Sequence, residues 1–173
     1  NCIEKKIIKF ITENLISLNV IESKSFKELM SSVAPNYEIQ SRKYFSNKAI
    51  PKNFLLVKEN IIKELNKIDF IAITSDFWSA PSLENFLTIT IHFIDNEFYL
   101  KNYVLETIPM EESHTTENIK NFIESILKEW DIEKKVVAMV TDNANNMKAT
   151  VKEFNLPNTF CFAHTIQLII KEG

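Results

Sequence analysis

Phe70-Ile71-Ala72-Ile73-Thr74-Ser75-Asp76-Phe77-Trp78 is an apolar run of strand length that ends by delivering a carboxylate and an indole. The construction returns once, in Lys135-Val136-Val137-Ala138-Met139-Val140-Thr141-Asp142, followed by Asn143, Asn145 and Asn146. Short, near-continuous apolar runs read as central strands of an α/β sheet, covered on both faces. Two such strands, each ending in an aspartate, bring two hard oxygen ligands to one sheet edge. Asp76 and Asp142 are therefore the first candidates for catalytic or metal-binding work.

Between these strands, Phe86 to Ile94 is rich in β-branched and aromatic residues, and Asp95-Asn96-Glu97 turns it into a further strand over Phe98 to Glu106. Ile119, Phe122, Ile123, Ile126, Leu127 and Trp130 then recur at helical spacing, opposite Lys120, Glu124 and Lys128. After the second aspartate come a helix over Asn143 to Phe154, a brief strand over Thr159 to Phe162, and a helix over Ala163 to Lys171. The order β-β-β-α-β-α-β-α predicts a mixed sheet with helices on its faces. A right-handed crossover returns the strand of Asp142 beside that of Asp76.

Upstream the pattern is helical throughout. One amphipathic helix is predicted from Cys2 to Val20, a short one over Ser25 to Met30 capped by Ser23 or Ser25, and another from Pro51 to Lys67. Ser41-Arg42-Lys43-Tyr44-Phe45 is the one basic, aromatic cluster before the sheet, a phosphate contact or simply a helical turn with both rings packed inward. The expected organisation is a helical region over 1–67 and an α/β domain over 68–173.

The chain has 173 residues, 45% of them apolar and 13 of them phenylalanine, enough for a substantial core. A net charge of -3 supplies no global positive field for DNA or an anionic membrane. Two cysteines, Cys2 and Cys161, do not make a disulfide scaffold. No segment reaches the roughly 18 apolar residues of a membrane span. The only glycine is Gly173, which excludes a glycine-rich phosphate loop and leaves turns to Asn, Asp, Ser and Pro. With no methionine at Asn1 and an apolar helix running up to Gly173, both ends read as cut.

Each candidate has a plain structural alternative. Asp76 can merely end a strand, and Asp142 or Asn143 can cap the following helix. Asn143, Asn145 and Asn146 exceed what one cap needs and suit outer hydrogen bonds to a ligating carboxylate or its water. Trp78, with Cys161 and His164, is a candidate contact to DNA or to the groups around the ligating acids, and its plain alternative is a packing residue at a sheet edge. His114, in the loop after Glu111-Glu112, either touches DNA or a metal-bound water or caps the next helix. Cys161-Phe162-Ala163-His164 has the spacing of half a zinc site, and a structural zinc needs about four ligands, so none is expected here. His164 more simply caps the last helix or faces the site edge, with Cys161 as a small core residue. Two aspartates suit Mg²⁺ or Mn²⁺. A two-metal phosphodiester site needs a third carboxylate, which none of Glu84, Glu106, Glu111, Glu112, Glu117 or Glu153 supplies by position.

Four ordered blocks carry a family likeness. Thr74-Ser75-Asp76-Phe77-Trp78-Ser79, Glu112-Ser113-His114-Thr115-Thr116-Glu117-Asn118-Ile119, Thr141-Asp142-Asn143-Ala144-Asn145-Asn146-Met147 and Cys161-Phe162-Ala163-His164-Thr165-Ile166-Gln167-Leu168 are separated as in the ribonuclease-H-like core of hAT-type DNA transposases. Thr90 to Asp95 adds to the match, and Phe26, Leu29, Pro35-Asn36-Tyr37 and Ser41-Arg42 resemble the lead-in of members with a BED-type zinc finger.

The resemblance implies a ribonuclease-H-like fold after a helical lead-in, with Asp76 and Asp142 as the first two acids of a DDE-type site. It implies Mg²⁺ or Mn²⁺ in the full-length parent, strand cleavage and transfer on DNA, a nuclear location, and self-association through a C-terminal region outside this chain. The family's third acid is a glutamate beyond a helical insertion, which this sequence stops short of, so the fragment is expected to be inactive alone. A non-catalytic, transposase-derived regulatory or interaction protein is the rival reading. A small self-contained nuclease with a local glutamate is a third.

Overall fold

The computed structural model of the protein describes residues 2–80, 84–110, 115–142 and 144–172. It divides into two compact units, Asn1–Ile61 and Ile62–Gly173.

The first unit is helical. Helix α1 (Cys2–Glu13) buries Ile7, Ile8 and Ile11, and it stops well before the predicted Val20. Leu15 takes φ 52°, and the Ile16 amide donates back to the Ile11 carbonyl at 3.0 Å. This is the left-handed close of a helix, usually made by glycine, and a chain without internal glycine gives its sequence no sign of it. Ser17 then caps a 3₁₀ turn, Leu18–Glu22, and Ser23 caps α2 (Lys24–Val33).

Ser41 caps a single turn, α3 (Arg42–Tyr44). The basic cluster serves the fold: Phe45 is fully buried, the Tyr44 hydroxyl donates to Glu4 Oε2 at 3.0 Å, and the Arg42 guanidinium is bonded to Asn19 Oδ1. A π turn, Phe45–Ala49, runs into α4 (Ile50–Leu65), with the Ile50 amide reaching the Phe45 carbonyl. Pro51 has no amide to give, and widening the preceding turn accommodates its ring without ending the helix. Ile7, Ile8, Ile11, Ile21, Phe26, Met30, Phe45 and Ala49 form one core.

The second unit is a five-stranded mixed sheet of order β3-β2-β1-β4-β5. Strands β1 (Ile71–Ser79), β2 (Asn85–Ile94) and β3 (Leu100–Pro109) form an antiparallel meander. Helix α5 (Thr116–Glu129) leads to β4 (Val136–Thr141), which lies parallel to β1, and α6 (Asn145–Glu153) leads to β5 (Asn158–Phe160), parallel to β4. Helix α7 (Phe162–Glu172) follows. This is the ribonuclease-H-like α/β arrangement anticipated from the sequence, behind a helical lead-in.

One expectation about the strands is corrected. Neither β1 nor β4 is buried on both faces. Ile71, Ile73 and Ser75 are buried, Ala72 and Thr74 are half-buried, and Asp76 and Trp78 are exposed; in β4, Met139 and Thr141 are buried beside an exposed Val137. Phe70, counted within the apolar run, precedes the strand and is 70% exposed. Branched residues on the more open face mimic the composition of a doubly covered strand. Ile71, Ile73, Leu87, Ile89, Ile91 and Met139 of the strands are buried, as are Ile119, Ile123, Leu127 and Trp130 of the α5 region and Met147 and Val151 of α6. The Thr150 hydroxyl donates within α6 to the Asn146 carbonyl at 2.8 Å, and the same Oγ1 lies 3.4 Å from the Thr116 carbonyl at the start of α5.

The hairpin turn is longer than the predicted Asp95-Asn96-Glu97. The Phe98 amide donates to the Asp95 carbonyl at 2.9 Å, Phe98 sits at φ 65°, and Asp95 Oδ1 accepts from the amides of Glu97 and Tyr99, both at 2.9 Å. A turn closed by a left-handed residue is a common hairpin form in which glycine ordinarily holds that place.

Candidate functional site

Parallel pairing places the carboxyl ends of β1, β4 and β5 at one edge of the sheet. Ser75 is paired with Thr141, and Thr141 with Phe160. The residue after each pairing is Asp76 on β1, Asp142 after β4 and Cys161 after β5, so three separate parts of the chain converge there. The Cys161 amide, donating to the Thr141 carbonyl at 2.9 Å, fixes the last of these against β4.

The electrostatics register this convergence. Asp76 is exposed by surface area, yet its carboxyl is raised above the ordinary carboxylate range. Partial loss of water is the largest cause, the negative charge of Asp142 adds to it, and His164 pulls in the opposite direction. Asp76 thus lies within the field of both Asp142 and His164. Among the described residues no three His, Cys, Asp or Glu side chains form a ready metal cage; electrostatic reach exceeds ligand distance.

Asp142 is not a helix cap in the expected sense. Its Oδ1 accepts from the Ala144 amide at 3.0 Å, a turn that bends the chain away from β4, and the residue before α6 is Ala144, with no side-chain cap. Asn145 and Asn146 open α6 as exposed residues. Asn143 and His114 lie outside the described residues. His164 is half-buried in the first turn of α7 and Cys161 is partly buried.

Trp78 lies two residues beyond Asp76, on the same face of β1. Its ring stacks on Phe86, centroids 4.7 Å apart and planes 18° apart. Its Nε1 donates to Thr88 Oγ1 at 3.0 Å, and Thr88 Oγ1 is 3.0 Å from Thr107 Oγ1. Phe86, Thr88 and Thr107 escaped the sequence reading because cross-strand register decides their place. The available signal was the two-residue alternation of β2, which puts Phe86 and Thr88 on one face.

The fold and this edge define a ribonuclease-H-like domain with strand-terminal acids. The ZBED1 RNase-like domain model matches residues 74–165, more than half of the chain. The chain belongs to this family, within the hAT-type transposase and BED-domain superfamily. It is 26% identical over 185 residues to a putative AC transposase of Zea mays, covering 98% of this chain and 23% of that protein. It is 24% identical over 183 residues to the putative transcriptional regulator tpeD of Talaromyces stipitatus, covering 97% and 22%. To the human zinc finger BED domain-containing protein 4 it is 27% identical over 188 residues, covering 99% and 16%. The chain spans less than a quarter of the length of these curated relatives.

Proposed function

We propose that residues 68–173 are the N-terminal part of the catalytic domain of a hAT-type DNA transposase or a transposase-derived protein, in which Asp76 and Asp142 hold Mg²⁺ or Mn²⁺. The observation that carries this reading is the β1–β4 register, which sets the two acids at the same carboxyl edge, where Asp142 adds to the rise that loss of water imposes on the Asp76 carboxyl. Among the described residues Asp76 accepts no hydrogen bond, so its oxygens are free for a hard cation. The donor set fits magnesium or manganese better than zinc.

When bound, the ion polarises a phosphodiester and favours an attacking water or hydroxyl. Asp76, on a paired strand, fixes one ligand position, and the Asp142 turn sets the other. Asn143, Asn145, Asn146 and His114 are proposed to orient these acids or the DNA, and His164 to moderate the charge of Asp76. A third acid comes, in this reading, from the part of the parent protein that this chain does not span. DNA as partner, self-association through that same remainder, and a nuclear location follow from it.

The test is titration of Mn²⁺ into the chain and its D76A and D142A variants. Binding by the parent chain, weakened at least tenfold in each variant, is the expected result. Equal binding by all three sinks the metal reading. The second reading, a non-catalytic regulatory or interaction protein, is favoured by the net charge of -3 and by a relative named as a transcriptional regulator. A full-length parent that lacks a third acid after a helical insertion decides for it.

A further inference from the structure

Trp78 and Phe86 are directly opposed across β1 and β2. Neighbouring strands stand about 4.8 Å apart, so rings stacked at 4.7 Å stand upright on the sheet, and Phe86 covers only the β2-facing side of the indole. The other side looks toward β4. There the β1–β4 pairing ends at Ser75 and Thr141 while β1 continues to Ser79, so no described strand stands beside Trp78. The indole is 44% exposed, although its Nε1 is satisfied by Thr88 and Thr88 in turn lies against Thr107. A large, part-exposed ring held by a stack and a hydrogen-bond chain, with no described strand beside its other face, has already lost the rotamer freedom that a ligand would otherwise have to remove.

We propose that Trp78 is a stacking platform for an unpaired nucleobase, positioning a single DNA strand across the Asp76–Asp142 edge. A base in the open slot makes a third layer on the Trp78–Phe86 pair. The Asp76 position lies two strand residues away, about 6–7 Å, comparable to the span from a base to its own backbone phosphate. Stacking reads no sequence, because every base has a flat face. Trp78 is in this sense a positioning residue. The choice of DNA as ligand rests on the carboxylate-pair reading above; the stack itself does not.

The experiment measures binding of a fluorescein-labelled single-stranded oligonucleotide by anisotropy, with and without Mn²⁺, against a strand of equal length made of abasic sites. The natural strand should bind about 5- to 150-fold tighter than the abasic one, a ratio that falls to near one in W78A and is largely kept in W78F. The two tryptophans also separate cleanly, since Trp130 is 2% exposed. The oligonucleotide should quench the emission of the parent chain but not of W78F, where only Trp130 emits, and this decides the matter even if W78A does not fold. An unchanged ratio in a folded W78A, or equal quenching in W78F, overturns the platform. A ratio lost in W78A while Mn²⁺ binding is indifferent to D76N upholds the platform and sinks the metal site. A ratio of one in the parent chain, with Mn²⁺ binding lost in D76N, does the reverse.

Discussion

Ser75 of β1 is paired with Thr141, the last residue of β4, and the next residue in each segment is an aspartate. Both paired residues are buried, at 3% and 1% exposure. The two acids therefore follow directly from a packed, paired base, and their proximity is a property of the strand register.

That register gives Asp76 a defined pH signature. Its carboxyl is raised in the folded protein, first by loss of water and then by Asp142. The folded state thus holds the proton more tightly than the unfolded chain, and this contribution is fully present below the ordinary aspartate value of 3.8 and lost as pH rises through the elevated one. D76N should melt higher than the parent chain at pH 7, with the gap closing as pH falls to about 4. Thermal melts across that range check the sign.

The Glu64 cluster should show the opposite slope. Lys101 Nζ lies 2.7 Å from Glu64 Oε1 and 3.2 Å from Asp95 Oδ2, and the Tyr103 hydroxyl donates to Glu64 Oε2 at 2.8 Å. The Lys101 hydrogen bond is the main reason the Glu64 carboxyl sits below its ordinary range. Stability from Glu64 is present above the ordinary value of 4.5 and lost as pH falls through the depressed one. E64Q should therefore melt lower at pH 7, with the deficit vanishing in acid. A deficit independent of pH would assign the loss to packing.

Ser75 Oγ is buried without a hydrogen-bond partner among the described residues. Removing an unsatisfied hydroxyl relieves its desolvation cost, so S75A should stabilise the protein by about 1 kcal/mol, raising Tm by roughly 2–4 °C. A lower Tm in S75A refutes this.

Phe98 holds a left-handed conformation while 89% exposed. Glycine there avoids the crowding of Cβ and sacrifices little packing, against its greater unfolded-state freedom. F98G should gain about 0.5–1 kcal/mol, read from urea unfolding.

The same hairpin and α1 show where sequence and structure part. Periodicity located the strands and the crossover helix, and the right-handed crossover rule placed β4 parallel beside β1, as the pairing shows. It did not locate Leu15 or Phe98 as left-handed residues, since both stand where glycine is the usual sign. Nor did it reveal that β1 has a more open face, because Ala72, Val137 and Val140 keep that face apolar in composition. The cross-strand partners of Trp78 depend on register, which no single strand encodes. His164 was legible only as a choice between helix cap and site edge, and it lies in the first turn of α7.

The crossover between β1 and β4 also orders events during folding. The β1–β2–β3 meander joins near neighbours in the chain and can assemble quickly, whereas β4 must wait for the α5 connection to dock it. On this topology the repulsion between the two acids is expected to be imposed late, when β4 docks beside β1. Substitutions at Asp76 or Asp142 should therefore alter the unfolding rate far more than the folding rate.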